Sequence, residues 1–165
     1  IIGNPTSEAM KEIVNTKIKF REPFRPFPPS VLSSRAGEYF DIDEPERHYP
    51  ARFMLLVVPV REEAKAKLPA ITHVDGTGRL QTVFKEQSPR YHRLIETFGE
   101  ASGVPVVLNT SFNLRGEPIV NTPEDAFLCF MRTNMDVLVM GPYLLRKDDQ
   151  PDMELETAAE AFGLD

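Results

Sequence analysis

A mixed α/β fold, with a twisted sheet flanked by helices, is expected from three features of the 165-residue sequence. Apolar runs of strand length alternate with helical patterns. One pair of strand-like runs is joined too tightly for a helix to intervene, so the sheet cannot be purely parallel. The length suits one domain with a sizeable core.

Residues 7–18 place Met10, Ile13, Val14 and Ile18 at helical spacing behind a Ser7 cap, predicting a helix that ends near Lys19. Prolines at 23, 26, 28 and 29 forbid a continuous helix in the next stretch. There Phe20, Phe24 and Phe27 alternate with Lys19, Arg21 and Arg25. The aromatics are expected to anchor an extended loop in the core while the bases face a cavity; the alternative is a surface loop with solvated bases. Residues 30–40 read as a short helix or two broken turns, and 41–50 as an exposed loop. The longest apolar run, 53–60, predicts a strand with Pro59 near its end or on a sheet edge. A short charged helix or turn follows over 61–68.

Residues 71–75 and 79–84 read as a hairpin about Gly76-Thr77-Gly78, since glycine permits positive φ at the turn. Such a turn also offers backbone N–H groups and a hydroxyl to a phosphate. His73 and Asp75 are candidates for assisting proton transfer, or His73 for a hydrogen bond within the sheet. Ser88-Pro89 opens a helix with the stripe Tyr91, Leu94, Ile95 and Phe98, ended by Gly103.

The strand expected at Val104-Pro105-Val106-Val107 runs into the stretch that organises the chain, Leu108-Asn109-Thr110-Ser111-Phe112-Asn113-Leu114-Arg115-Gly116. It offers Asn109, Thr110, Ser111, Asn113 and Arg115 to an anion or an amide at the carboxyl end of a strand, a common ligand position in α/β proteins. The alternative is an Asn/Ser-rich turn that satisfies its own backbone. Thr122 then caps a helix over 123–132 with Pro123 at its first position. Ala126, Phe127 and Phe130 are its expected buried face, and Cys129 is expected to pack in the core. A final strand, Val137-Leu138-Val139-Met140, precedes Gly141-Pro142 and the run Tyr143-Leu144-Leu145.

Net charge is −6 and pI about 5.2, which argues against general binding to nucleic acid or anionic membrane. The basic cluster Lys17, Lys19, Arg21 and Arg25 instead suits a small anion. The single cysteine excludes an internal disulfide, no His/Cys cluster has metal-ligand spacing, and no apolar run reaches the ~20 residues of a membrane span. A cytoplasmic location is the simplest expectation.

The central stretch, His73-Val74-Asp75-Gly76-Thr77-Gly78-Arg79, and Lys19-Phe20-Arg21-Glu22-Pro23-Phe24-Arg25-Pro26-Phe27 together resemble the C-terminal domain of the carbamoyltransferases, which include nodulation protein U and the antibiotic O-carbamoyltransferases. The resemblance covers residues 1–147 and implies a YrdC-like twisted mixed sheet; residues 148–165 are left as an acidic tail, weakly helical or disordered. It implies that this domain joins carbamoyl phosphate with ATP to form carbamoyl-adenylate. An actin-like N-terminal domain holding a metal ion would then transfer the carbamoyl group to a hydroxyl. Lys19, Arg25, Arg79, Asn109 and Ser111 match the family's carbamoyl phosphate and carbamoyl-adenylate contacts.

The start Ile1-Ile2-Gly3-Asn4-Pro5 is expected to follow that larger domain, so the N-terminal domain is the expected partner, the metal is expected only there, and full transfer by this chain alone is not expected. A related YrdC-like module that holds nucleotide or RNA without carbamoyl chemistry is the rival reading, and a structural or interaction domain the third. No covalent enzyme intermediate is expected, since no Ser/His/Asp or Cys/His arrangement is evident.

Overall fold

The computed structural model describes residues 1–151, which form two compact units: Ile1–Lys11 with Pro26–Thr110, and Glu12–Arg25 with the chain from Ser111 onward. The tail expected to be weakly helical or disordered falls, over 152–165, outside the described residues.

The first unit is built on a mixed sheet ordered β1-β5-β2-β4-β3. Its elements are β1 (Ile2–Gly3), α1 (Met10–Ile13, whose last residues enter the second unit), β2 (Pro29–Leu32), α2 (Ala36–Tyr39), β3 (Leu56–Pro59), α3 (Glu62–Lys65), β4 (Thr77–Val83), α4 (Pro89–Ser102) and β5 (Val106–Asn109). Only β2 and β4 run parallel. The β1–β5, β5–β2 and β4–β3 pairs are antiparallel, as expected of a mixed sheet flanked by helices.

Alternation sorts the side chains. Leu32, Val83 and Val107 point to one face, where they pack with Ile95 of α4, and Tyr91 and Phe98 close the cluster. Val31, Leu80, Val106 and Leu108 are wholly buried on the other face. Ser30, Gln81, Arg79 and Asn109 have the parity of the α4 face. Register aligns Ser30 with Gln81 and with Val107, and Asn109 N–H donates to Pro28 O at 2.9 Å just before β2.

The approach of α4 to β5 depends on Gly99. A Cβ there would stand 2.6 Å from Pro105 Cβ and 2.9 Å from its Cα, and backbone cannot yield as a flexible side chain does. Gly99→Ala gains about 1 kcal/mol of helix propensity but forces an overpacked contact that costs roughly 1–3 kcal/mol. The expected net result is a lower midpoint in thermal or urea denaturation; an unchanged or raised midpoint would show that α4 shifts without cost. Gly103 ends α4 at φ 77° with its N–H on Gly99 O, as the sequence predicts.

Three expectations are corrected here. The hairpin over 71–84 does not form, because β3 and β2 occupy both edges of β4. Residues 71–75 instead close a turn, with Gly76 N–H on His73 O at 2.9 Å and His73 N–H on Thr77 O at 2.8 Å. Within 30–40, a central strand stands where turns were expected. β2 is only four residues long, begins at a proline and runs straight into a 3-10 turn at Ser33–Arg35, so it carries too little alternation to register. The 53–60 strand shortens to β3, since Met54 at φ 58° ends a preceding 3-10 turn, Tyr49–Phe53. Pro59 does end an edge strand.

The second unit contains a π-helical turn, Val14–Ile18, then α5 (Pro123–Met131), β6 (Val137–Met140) and β7 (Tyr143–Arg146). The helix expected over 7–18 is thus confined to α1 and this wider turn. Its core residues include Val14, Ile18, Leu114, Ala126, Cys129, Phe130 and Leu138. Thr122 caps α5 within a full capping box: its hydroxyl accepts from Asp125 N–H, and the Asp125 carboxylate accepts from Thr122 N–H. Phe127, expected to be buried, is only half-buried. β6 and β7 pair antiparallel as a separate hairpin. Among the described residues no helix is long and apolar enough to cross a membrane.

Candidate functional site

The basic loop and the polar loop meet inside the second unit. The π-helical turn delivers Lys19 into the protein, and Phe20, at φ 47°, turns the chain outward again. This reversal explains a further departure from expectation. Phe27 alone of the three aromatics is buried, whereas Phe20 is 47% and Phe24 73% exposed.

Lys19 is buried, at 4% exposure. Its ammonium donates to Ser111 O (2.5 Å), Ser111 Oγ (3.2 Å), Asn113 O (2.9 Å) and Asn113 Oδ1 (2.9 Å). Three protons are shared among these oxygens, so the side chain both lines the site and folds the polar loop around itself. Burial, reinforced by the Arg21 charge and opposed by Cys129 and Glu117, lowers its pKa to about 8.

The loop is tied at further points. Ser111 Oγ donates to Asn113 Oδ1 (2.7 Å), and Asn113 Nδ2 donates to Glu117 O (2.8 Å). Gly116 turns the chain at φ 83°. The Glu117 carboxylate accepts from Leu114 N–H (3.1 Å) and pairs with Arg132 at 3.4 Å, where the two side chains are 7% and 15% exposed. Cys129 behaves as core: burial pushes its thiol up to about 11, away from nucleophilic use.

Asn15 organises the basic loop. It is wholly buried and donates to Pro23 O (3.1 Å) and Arg25 O (2.9 Å), while its Oδ1 accepts from Arg21 Nε (2.7 Å). Arg25 stays half exposed and pairs with Glu22 at 2.9 Å. Backbone hydrogen bonding and then Arg25 hold the Glu22 carboxyl below its usual range.

The result is an open pocket of about 220 Å³ lined by Lys19, Arg21, Arg25, Ser111, Asn113, Leu114, Arg115 and Gly116. Among the described residues its lining carries cations and neutral groups but no acid. That size lies below the ~300–1,000 Å³ typical of drug-sized ligands. Cations and hydroxyl or amide groups around such a space suit a small oxyanion.

Of the residues singled out from sequence, Lys19, Arg25 and Ser111 therefore come together in the second unit. Asn109 and Arg79 belong to the first unit, with the parity of the α4 face. Arg79 is exposed on β4. Asn109 Nδ2 donates to Gln81 Oε1 at 2.9 Å. His73 lies in the turn before β4, its Nδ1 3.2 Å from Thr77 Oγ1, and burial chiefly lowers its pKa. Asn15, Gln81, Glu117 and Arg132 escaped the sequence reading. A buried amide or ion pair inside an ordinary polar position leaves no pattern in a single sequence. Among the described residues no group of His, Cys, Asp or Glu is placed to hold a metal ion.

A mixed α/β sheet in the first unit and a basic pocket in the second describe a class. Comparison with known proteins narrows it: the chain belongs to the carbamoyltransferase C-terminus family, whose model matches residues 1–147. It is 45% identical over 147 residues to nodulation protein NolNO of Sinorhizobium fredii, covering 89% of this chain and 21% of that protein. Nodulation protein U of Rhizobium tropici is 35% identical over 78% of this chain and 21% of its own length. The 3'-hydroxymethylcephem-O-carbamoyltransferase of Streptomyces clavuligerus is 34% identical over 84% of this chain and 25% of its own. The chain thus spans about a quarter or less of the length of these relatives.

Proposed function

We propose that this chain is the part of a carbamoyltransferase that binds carbamoyl phosphate and ATP and forms carbamoyl-adenylate: water cleaves carbamoyl phosphate to carbamate and phosphate, and a carbamate oxygen attacks the α-phosphorus of ATP and expels diphosphate. An N-terminal domain holding a metal ion would then pass the carbamoyl group to a hydroxyl acceptor. The observation that carries this reading is the pocket around Lys19, Arg21, Arg25 and Arg115, which holds no acid among the described residues. Membership of the family, and the O-carbamoyl transfer named for the cephem relative, supply the group transferred.

In this reading Lys19, Arg25, Arg79, Asn109 and Ser111 are the ligand contacts. Arg25 and Arg79 neutralise phosphate oxygens, and Arg21 and Arg115 extend the positive field. Ser111 donates a neutral hydrogen bond, and Asn109 meets the planar carbamoyl amide. Holding two phosphates close together against their repulsion, already oriented, is how such a site lowers the barrier without a covalent enzyme intermediate.

Calorimetry of the protein with carbamoyl phosphate, ATP and AMP tests this directly. Carbamoyl phosphate is expected to bind, and to bind more tightly at low salt. No measurable heat with carbamoyl phosphate at low ionic strength would overturn the assignment.

The same titrations have a predicted pH signature. Lys19 titrates near 8 in the empty site, and a bound anion favours its charged form. Binding at about pH 8.5 should therefore take up protons, and affinity should fall as pH rises through about 8. The heat should then depend on the ionisation enthalpy of the buffer. Buffer-independent heat would show that Lys19 does not sense the anion.

A further inference from the structure

Asn109 lies at the end of β5, where its side-chain amide presents either an oxygen or an NH2 to whatever faces it. Which one it presents is not free to vary. Asn109 Nδ2 donates to Gln81 Oε1 at 2.9 Å. The same Oε1 accepts from Ser30 Oγ at 2.5 Å. Gln81 Nε2 donates in turn to the backbone carbonyl of Arg52 at 3.4 Å.

A carbonyl oxygen can only accept, so Arg52 O fixes which end of the Gln81 amide faces it. The Gln81 oxygen is then turned toward Ser30 and Asn109. Flipping Asn109 would set two amide oxygens against each other, a repulsive contact next to the fully buried Ser30. The three side chains come from β5, β2 and β4, adjacent strands of one sheet, which holds their spacing rigid.

We infer that Gln81 is a specificity-determining positioning residue: it locks the Asn109 amide so that Oδ1 is offered to the ligand as a hydrogen-bond acceptor. This rests on the reading of Asn109 as a carbamoyl contact. An acceptor at that point favours a ligand whose acyl carbon carries an N–H donor. It disfavours an isosteric methyl, and it repels a carboxylate oxygen. The site is thereby tuned to a carbamoyl group over an acetyl group of nearly the same shape and equal phosphate charge.

The discriminating measurement is the ratio of dissociation constants for acetyl phosphate and carbamoyl phosphate. The native protein is expected to prefer carbamoyl phosphate by about tenfold or more, as one buried hydrogen bond allows. Gln81→Leu removes the lock, so Asn109 can turn either end to the ligand, and the ratio should fall to within about threefold. A general loss of packing would weaken both ligands alike and leave the ratio unchanged.

Native discrimination that persists in Gln81→Leu would overturn the role of Gln81 while leaving carbamoyl phosphate binding intact. Failure of the native protein to bind carbamoyl phosphate at all would instead remove the functional reading, and this inference with it. If Gln81→Leu does not fold, Gln81→Met and Ser30→Ala supply the same comparison. Met at 81 should lose the preference and Ala at 30 should keep it, and the reverse pattern would sink the idea.

Discussion

Arg25→Ala is expected to weaken carbamoyl phosphate binding about 10- to 150-fold. The estimate follows from one charge-assisted hydrogen bond of roughly 1.5–3 kcal/mol, converted at 1.4 kcal/mol per tenfold. Arg25 is suited to this because its side chain is half exposed at the pocket and its backbone is held by the buried Asn15 amide. Its partner in the empty site, Glu22, makes an exposed pair of little net worth that a ligand phosphate can displace. Arg25→Lys should recover only part of the loss, since an ammonium cannot reproduce the guanidinium fork. Ser111→Ala should cost less, about 0.5–1.5 kcal/mol, as a neutral hydrogen bond. Calorimetry of the three variants decides the matter. Unchanged affinity in Arg25→Ala, with the fold intact by circular dichroism, would mean that the loop bases are merely solvated.

Lys19→Met is expected to lower both stability and affinity, because this lysine holds the polar loop from within. Methionine fills similar space but donates nothing to Ser111 O, Asn113 O or Asn113 Oδ1. Orphaned buried acceptors cost roughly 1–3 kcal/mol each, less whatever water recovers and less the relief of an expensive buried charge. A net loss of about 1–3 kcal/mol in urea denaturation at neutral pH is the expected outcome. The pH dependence gives a second handle. Lys19 has its pKa lowered from 10.5 to about 8 on folding, so between those values the unfolded chain holds the proton and the folded protein does not. Native stability should therefore gain a component that rises with pH across about 8 to 10.5, and that is absent below 8. The methionine variant should lack that component. Parallel stability–pH curves for the two proteins would show that Lys19 is not the titrating group.

Local chemistry was readable wherever neighbours along the chain decide conformation. Thr122, Pro123 and Asp125 start α5 by capping one another, and Gly103 ends α4 because it tolerates φ 77°. The stripe through Tyr91, Ile95 and Phe98 predicted the face that α4 buries. A mixed sheet flanked by helices was likewise legible from the alternation of apolar patterns. So was the concentration of bases and amides in two stretches, since side-chain type is written directly in the sequence. The motif resemblance supplied the family.

Pairing was decided only in three dimensions. A strand has two edges, and the sequence does not say what occupies them. The runs at 71–75 and 79–84 looked like partners, yet β4 gives its edges to β3 and β2 and leaves the first run as a turn. β2 itself became central through partners on both sides, despite four residues and an initial proline. The same holds for the polar groups. Lys19 reads as one more loop base until its ammonium is found among carbonyls contributed from position 111 onward. Asn15 and Gln81 read as ordinary polar residues until burial obliges each amide to find partners of the right sense. Residue identity thus determined what chemistry the chain carries. Burial and strand order determined which groups were bound to one another, and so the sense in which each amide is turned.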